Sequence, residues 1–396
     1  MAGIAAMCMG YVFSQFFRAF LAVLTPVLQR DLSMTPTELA YASGAWFIAF
    51  AAMQFPVGTL LDTIGPRRTA GIIFTIFAGS GIFLFAYASS PLAIIVAMAL
   101  IGIGCSPVLM APFYIFAREF SPAQLATLVS TFIAVGTLGN IAGSEPLAAA
   151  VDAFGWRTSA MGLGVGTVVV GIAILLLARD PAKLDAAGAK GSYLELLKIR
   201  ALWPIFPVIL MGYTVAAGLR GLWIGPYHAD VFGYNTLEIG RVTLYMSIAL
   251  ALGTLCFGPL DRIFNSRKRV VMGGNFVVLA LCVYMAFAPS VSALTGTLVF
   301  VAIGFFGSSY AVQMTHGRAF LPAHMTGRGA TLLNFCSIGG AGLFQWVSGP
   351  VVEMSVDPAN PESQYQALFI FYSVLMVIAV VAYAFSRDVK PRDVAL

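Results

Sequence analysis

The chain has 396 residues, of which 59% are hydrophobic and only 10% charged. A soluble domain carries roughly 25% charged residues, so that class is excluded. The net charge of +5 resides between apolar runs and calls for no nucleic-acid partner.

Apolar runs of about twenty residues, enough to cross a bilayer core, recur from end to end. They are continuous and not alternating, which predicts membrane helices that satisfy their own backbone rather than a barrel. The first span is expected at 5–29. It opens on MAGIAAMCMGYVF, with no basic n-region, and so reads as a true span and not a signal peptide. It holds Tyr11, Gln15 and Arg18. A second span at 37–61 contains Trp46 and starts at Thr35-Pro36-Thr37-Glu38, a capping box with proline at the first helical position. Spans follow at 69–89, 91–117, 124–150 and 158–178. The fifth carries Asn140, Glu145 and a glycine-rich run from Gly136 to Pro146. The polar stretch 179–202 is the natural linker between an N-terminal bundle, 1–178, and a C-terminal one, 203–396. Six more spans are predicted at 203–229, 237–260, 269–289, 291–316, 329–352 and 365–386.

Charge predicts topology. Basic residues concentrate on one side, from Arg67, Arg68 and Arg118 through the linker to Arg262, Arg267, Lys268, Arg318 and the tail; the other side has Arg30, Arg157 and Arg241. The positive-inside rule therefore puts both termini and the linker in the cytoplasm, as expected for a bacterial inner-membrane protein. Five cysteines at irregular spacing, all in apolar segments, suggest neither a disulfide framework nor a zinc site.

An internal repeat is visible. Met9-Gly10-Tyr11 leading to Arg18 matches Met211-Gly212-Tyr213 leading to Arg220. Ile103-Gly104 leading to Arg118, Phe120 and Pro122 matches Ile303-Gly304 leading to Arg318, Phe320 and Pro322. Ala126-Thr127-Leu128 with Pro146 matches Ala330-Thr331-Leu332 with Pro350. The loop Gly58, Asp62, Gly65, Arg67, Arg68 recurs as Gly258, Asp261, Arg262, Arg267. Four matches in one order predict a six-helix unit used twice, the parallel repeat of a transporter.

With these motifs the whole chain resembles the major facilitator superfamily. The resemblance implies twelve helices in two pseudo-symmetric bundles, rocker-switch alternating access, and a role for Gly58, Asp62, Arg67, Arg68, Asp261, Arg262 and Arg267 as a cytoplasmic gate. The position after the loop aspartate, usually basic in that family, is Thr63 here.

Ionisable residues at membrane depth are functional candidates by default; the sequence offers Arg18, Arg220 and Glu145. The arginines are repeat-equivalent, and each follows a tyrosine by seven residues, which in a regular helix is the same face. Two guanidiniums without two matching acids predict a site for an anion, a carboxylate or phosphate-like group held bidentately. The pair is similar to that of the organophosphate–phosphate exchangers of the superfamily. Trp46, Asn140, Trp223, Tyr310, Asn334 and Gln345 are expected to line the same cavity with Tyr11, Tyr213 and Gln15. Glu145 is the one carboxylate candidate for coupling to a proton or counter-anion, and His228, His316 and His324 are expected at interfaces. Glu145 could neutralise at most one arginine, and the arginines could instead be structural.

The expectation is a secondary transporter of a small anion, monomeric in the lipid bilayer, with no cofactor or resident metal. A multidrug–proton antiporter is the alternative, although the fifth helix lacks a glycine–proline pattern. A copper importer would require Met and His a helical turn apart, and the sequence has no such spacing. A receptor on a dead transporter fold would lack the loop motifs. No nucleophile–base pairing points to an enzyme.

Overall fold

The computed structural model describes residues 2–182, 193–322, 325–360 and 362–390. Among these, secondary structure is helical apart from one isolated bridge between Asp357 and Asn360. Much of the linker, and with it Lys183 and Lys190, lies outside the described residues, as do His324 and Arg392.

Among the described residues ten helices are long and apolar enough to cross a membrane, and two bent pairs complete a set of twelve. The bent pairs are the first span, Ala2–Phe16 with Phe20–Leu32 (47°), and the second, Pro36–Ala52 with Gln54–Thr63 (40°). The others are Pro66–Ala86, Pro91–Glu119, Thr127–Phe154, Trp156–Leu177, Arg200–Phe232, Thr236–Ile263, Arg267–Phe287, Ala293–Arg318, Gly327–Glu353 and Ser363–Ala384. The protein is an all-α membrane protein of twelve helices in two six-helix bundles.

Local chemistry sets the starts of the spans. The predicted capping box is present: the Glu38 N–H donates to Thr35 Oγ1 (3.2 Å) and the Thr35 N–H to Glu38 Oε2 (2.9 Å). The eighth span begins the same way, with Asn235 and Glu238 exchanging bonds of 2.9 and 3.0 Å. These bonds satisfy amides that a helix N-terminus otherwise leaves without partners.

The chain forms two compact units. One contains the first six spans together with Tyr234–Leu244; the other contains the seventh span through Gly233 and the chain from Tyr245 onward. In the first unit the glycine-rich run of the fifth span packs on the first. A Cβ at Gly139 would lie 2.0 Å from Val12 O, and one at Gly136 would lie 2.1 Å from the Tyr11 ring. Small residues at such spacing let membrane helices approach backbone to backbone. Gly102 does the same for the fourth span, where a Cβ would lie 2.3 Å from Trp46 O. This contact fixes the height of Trp46. The core of the second unit is aliphatic and aromatic, including Ile205, Val208, Ile209, Val271 and Tyr383.

Candidate functional site

Arg18 occupies the break in the first span. The turn 17–19 carries neither proline nor glycine. Its hydrogen bonds close three residues back, Arg18 N–H to Gln15 O (3.3 Å) and Ala19 N–H to Phe16 O (3.0 Å). This is the tighter 3₁₀ pattern. Phe16, Phe17 and Phe20 pack on one another at centroid separations of 5.4 to 6.0 Å and hold the bend. The sequence reading put Tyr11 and Arg18 on one face, which assumes a regular helix. The break removes that assumption, and Tyr11 instead stacks on Phe132 (5.4 Å) and accepts from Gln15 Nε2 (2.6 Å).

The Arg18 guanidinium seats on two rings of the second span. Its Cζ lies 5.1 Å from the Trp46 ring and 5.0 Å from the Phe50 ring, and the rings stack on each other at 5.1 Å. Three nearly equal sides make a triangle, so both rings support the cation from one side and do not sandwich it. Each such contact contributes about 0.5–2 kcal/mol. Arg18 is in none of the four ion pairs among the described residues. Its Nε–H and the Nε1–H of Trp46 are buried without a hydrogen-bond partner there. A buried donor left so costs about 1–3 kcal/mol. Arg18 nevertheless retains intermediate exposure between the buried Phe17 and Ala19.

Arg220 stands in a different backbone. The seventh span winds into a π-helical turn over Leu219–Trp223, and Arg220 within it is 1% exposed. Wide turns of this kind are frequent at functional sites, although a second one, over Phe74–Ala78, lies in the third span. The helix is also interrupted at Tyr213, so a seven-residue spacing does not fix a shared face here either. Tyr213 packs on Tyr310 (4.9 Å). Trp223, expected to line a cavity, is fully buried and donates from Nε1 to Ser348 Oγ (3.0 Å), which makes it an internal brace. Gln345 is fully buried as well, with both amide atoms unpartnered among the described residues. Asn140 is buried, while Asn334 and Tyr310 are intermediate.

Glu145 pairs with Arg241 (3.3 Å), so its charge is balanced by Arg241 and not by either embedded arginine. His228 and His316, near span ends, are fully buried within the protein. His228 Nδ1 meets Ile224 O (2.8 Å); His316 bridges the Tyr383 hydroxyl and Arg387 O (2.9 Å). Asp230, an acid near the end of the seventh span that the sequence reading passed over, accepts from Tyr365 and Gln364. No three His, Cys, Asp or Glu side chains among the described residues gather to hold a metal ion.

The two loop motifs are built unequally. In the second copy Asp261 pairs with Arg267 (3.3 Å) in a largely buried contact. In the first, Asp62 faces Tyr114 Oη (3.0 Å) and Arg118 (3.9 Å) of the fourth span. A Cβ at Gly58 or Gly258 would meet nothing within 4 Å, so neither glycine serves close helix approach here. A further repeated element closes each bundle. Asp180, after the sixth span, accepts from the Arg67 N–H (2.7 Å). Asp388, after the twelfth, accepts from the Lys268 N–H (3.0 Å) and the Ser266 hydroxyl. The signal was in the sequence, as Arg179-Asp180 and Arg387-Asp388.

Twelve helices in two bundles, with repeat-equivalent embedded arginines and paired loop motifs, define a membrane transporter and not an enzyme. The chain belongs to the Major Facilitator Superfamily, whose sequence profile matches residues 7–345. It is 21% identical to the hexuronate transporter of Bacillus subtilis over 315 residues, covering 73% of this chain and 72% of that one. It is 24% identical to the probable sulfoacetate transporter SauU of Cupriavidus necator, covering 76% and 71%. A third relative, the uncharacterized transporter YybO of B. subtilis, is 26% identical over 162 residues, so the match spans only 37% of its length. The fold is similar to that of the D-xylose–proton symporter (TM-score 0.77, 12% identity, 97% of each chain). It is also similar to that of a bacterial homolog of the human lysosomal transporter Spinster (TM-score 0.76, 18% identity, 97% and 95%).

Proposed function

We propose that this protein is a secondary active transporter of a small organic anion bearing a carboxylate, with Arg18 as its principal contact in the first bundle. One observation carries the reading: an embedded guanidinium rests on aromatic faces, and its Nε–H has no partner among the described residues. A cation supported this way at membrane depth still calls for a counter-charge. The relatives support a carboxylate over a phosphate, since hexuronates carry one and sulfoacetate carries one beside its sulfonate. Arg220, its repeat equivalent in the second bundle, is a further embedded guanidinium. Glu145 is already paired with Arg241 and is not assigned the coupling role. Alternating access, with the Asp62 and Asp261 loops on the cytoplasmic side along with both termini, completes the proposal.

The test is uptake and binding in proteoliposomes with glucuronate, galacturonate, sulfoacetate and inorganic phosphate. Truncating one partner of a buried charge pair costs about 2–5 kcal/mol. Arg18→Ala is therefore expected to weaken carboxylate binding roughly thirty-fold or more. Full affinity in Arg18→Ala, or binding of phosphate alone, would overturn the reading.

A further inference from the structure

Deepening the proposed function, on which this inference rests, we infer that the Trp46 indole N–H is a second hydrogen-bond donor to the carboxylate that Arg18 binds, and that Phe50 positions the guanidinium. Trp46 is 1% exposed, yet its Nε1–H has no partner among the described residues, and neither has the Nε–H of Arg18. Buried polar groups without partners are rare in folded proteins and call for a specific reason. Here two occur side by side. Both are purely donors, because neither an indole nor a guanidinium can accept. Their common complement is an acceptor, and beside a cation a negatively charged one.

Distance narrows the group further. Arg18 Cζ lies 5.1 Å from the Trp46 ring centre. Nε is bonded to that carbon, and Nε1 belongs to that ring. The two nitrogens are then a few ångströms apart, a separation that one carboxylate, whose two oxygens each accept at about 2.9 Å, can bridge. The Trp46–Phe50 stack supports the cation from one side only. Gly102 holds Trp46 in place by letting the fourth span press against its carbonyl. The ring that seats the cation thus also presents a donor beside it.

The experiment measures glucuronate, galacturonate and sulfoacetate affinity and ligand-free melting temperature in four proteins. Trp46→Phe keeps an aromatic seat and removes the N–H. Replacing Trp46 with benzothienylalanine keeps the full shape and puts sulfur where the N–H was. Phe50→Leu removes one ring, and Arg18→Lys keeps the charge without the fork. Loss of a charge-assisted hydrogen bond predicts a roughly ten-fold or greater weakening in both Trp46 variants. In the benzothienylalanine protein the ligand-free melting temperature stays unchanged or rises, because that donor has no bond to lose until ligand arrives and its unpaired burial is itself a cost. Phe50→Leu weakens binding about three-fold. Wild-type affinity in the benzothienylalanine protein overturns the inference and leaves the role of Arg18 standing. A lowered ligand-free melting temperature with unchanged affinity does the same and makes Trp46 structural. Undiminished affinity in Arg18→Lys, or no binding of any of the three acids to the wild type, overturns the proposed function and this inference with it.

Discussion

Asp388 offers a quantitative test of how the second bundle is closed. The carboxylate follows the last helix and accepts at the start of the ninth span, from the Lys268 N–H (3.0 Å) and the Ser266 hydroxyl. Burial by itself would raise its pKa, but the bonds from the Ser266 hydroxyl and the Lys268 and Val389 N–H groups, with His316 nearby, hold it below the ordinary aspartate value. A depressed carboxylate stabilises the fold at pH values above its unfolded pKa of about 3.9, and that contribution is lost as pH falls through the folded value. Asp388→Asn removes the charge and turns an NH₂ toward one of the two donors. Losing a capping side chain costs about 0.5–2 kcal/mol, and a charge-assisted bond in a partly exposed site falls in the same range after screening. We expect about 1–2 kcal/mol, which for a bundle of this size is a drop of about 3–6 °C in melting temperature. The assay is thermal unfolding in detergent from pH 7 down to pH 3. The gap between wild type and variant is expected to be full at neutral pH and to close below about pH 3.9. An unchanged melting temperature at pH 7, or a gap that does not shrink in acid, refutes the argument.

Two further outcomes follow from the packing. Gly139→Ala places a Cβ 2.0 Å from a backbone carbonyl, whereas Gly58→Ala meets nothing within 4 Å. The first is expected to lower the melting temperature sharply, and the second to leave it unchanged or raise it, since helix propensity favours alanine by up to about 1 kcal/mol. Comparable melting in both would show that the fifth span does not bear on the first as described. A double-mutant cycle on Glu145 and Arg241, half-exposed at 3.3 Å, is expected to give a coupling energy of about 0.2–1 kcal/mol. A coupling above about 2 kcal/mol would contradict the surface-like character of the pair.

Much of this architecture is legible in sequence because membrane helices announce themselves by length and apolarity. The twelve spans fall near their expected limits, and the repeat of Arg18 and Arg220 is visible by eye. What was not legible is how each helix is wound. The turn at 17–19 has no proline or glycine to mark it, since its geometry is fixed by phenylalanines packing in three dimensions. Burial of His228 and His316 was equally hidden, because position near the end of a span suggests an interface, while a backbone carbonyl or tertiary hydroxyl supplies the partner. Other features were readable and passed over. Asn235-Thr-Leu-Glu238 repeats the Thr35 capping box in register, and the Arg-Asp pairs after the sixth and twelfth spans repeat as well. Trp46 and Phe50, four residues apart on the second span, stand out as an aromatic pair. Only the fold brings the cation to them.

The two arginines share a count along the chain but not a winding. One sits in an overwound turn and the other in an underwound one, so the helices on either side rotate in opposite senses relative to ideal. Residue-for-residue correspondence between the halves therefore slips in azimuth beyond these points, although the numbering still agrees. A chimera or cysteine cross-link designed by copying positions from one half to the other will not hold its intended direction across these turns. Any engineering that exploits the repeat must restart its register there.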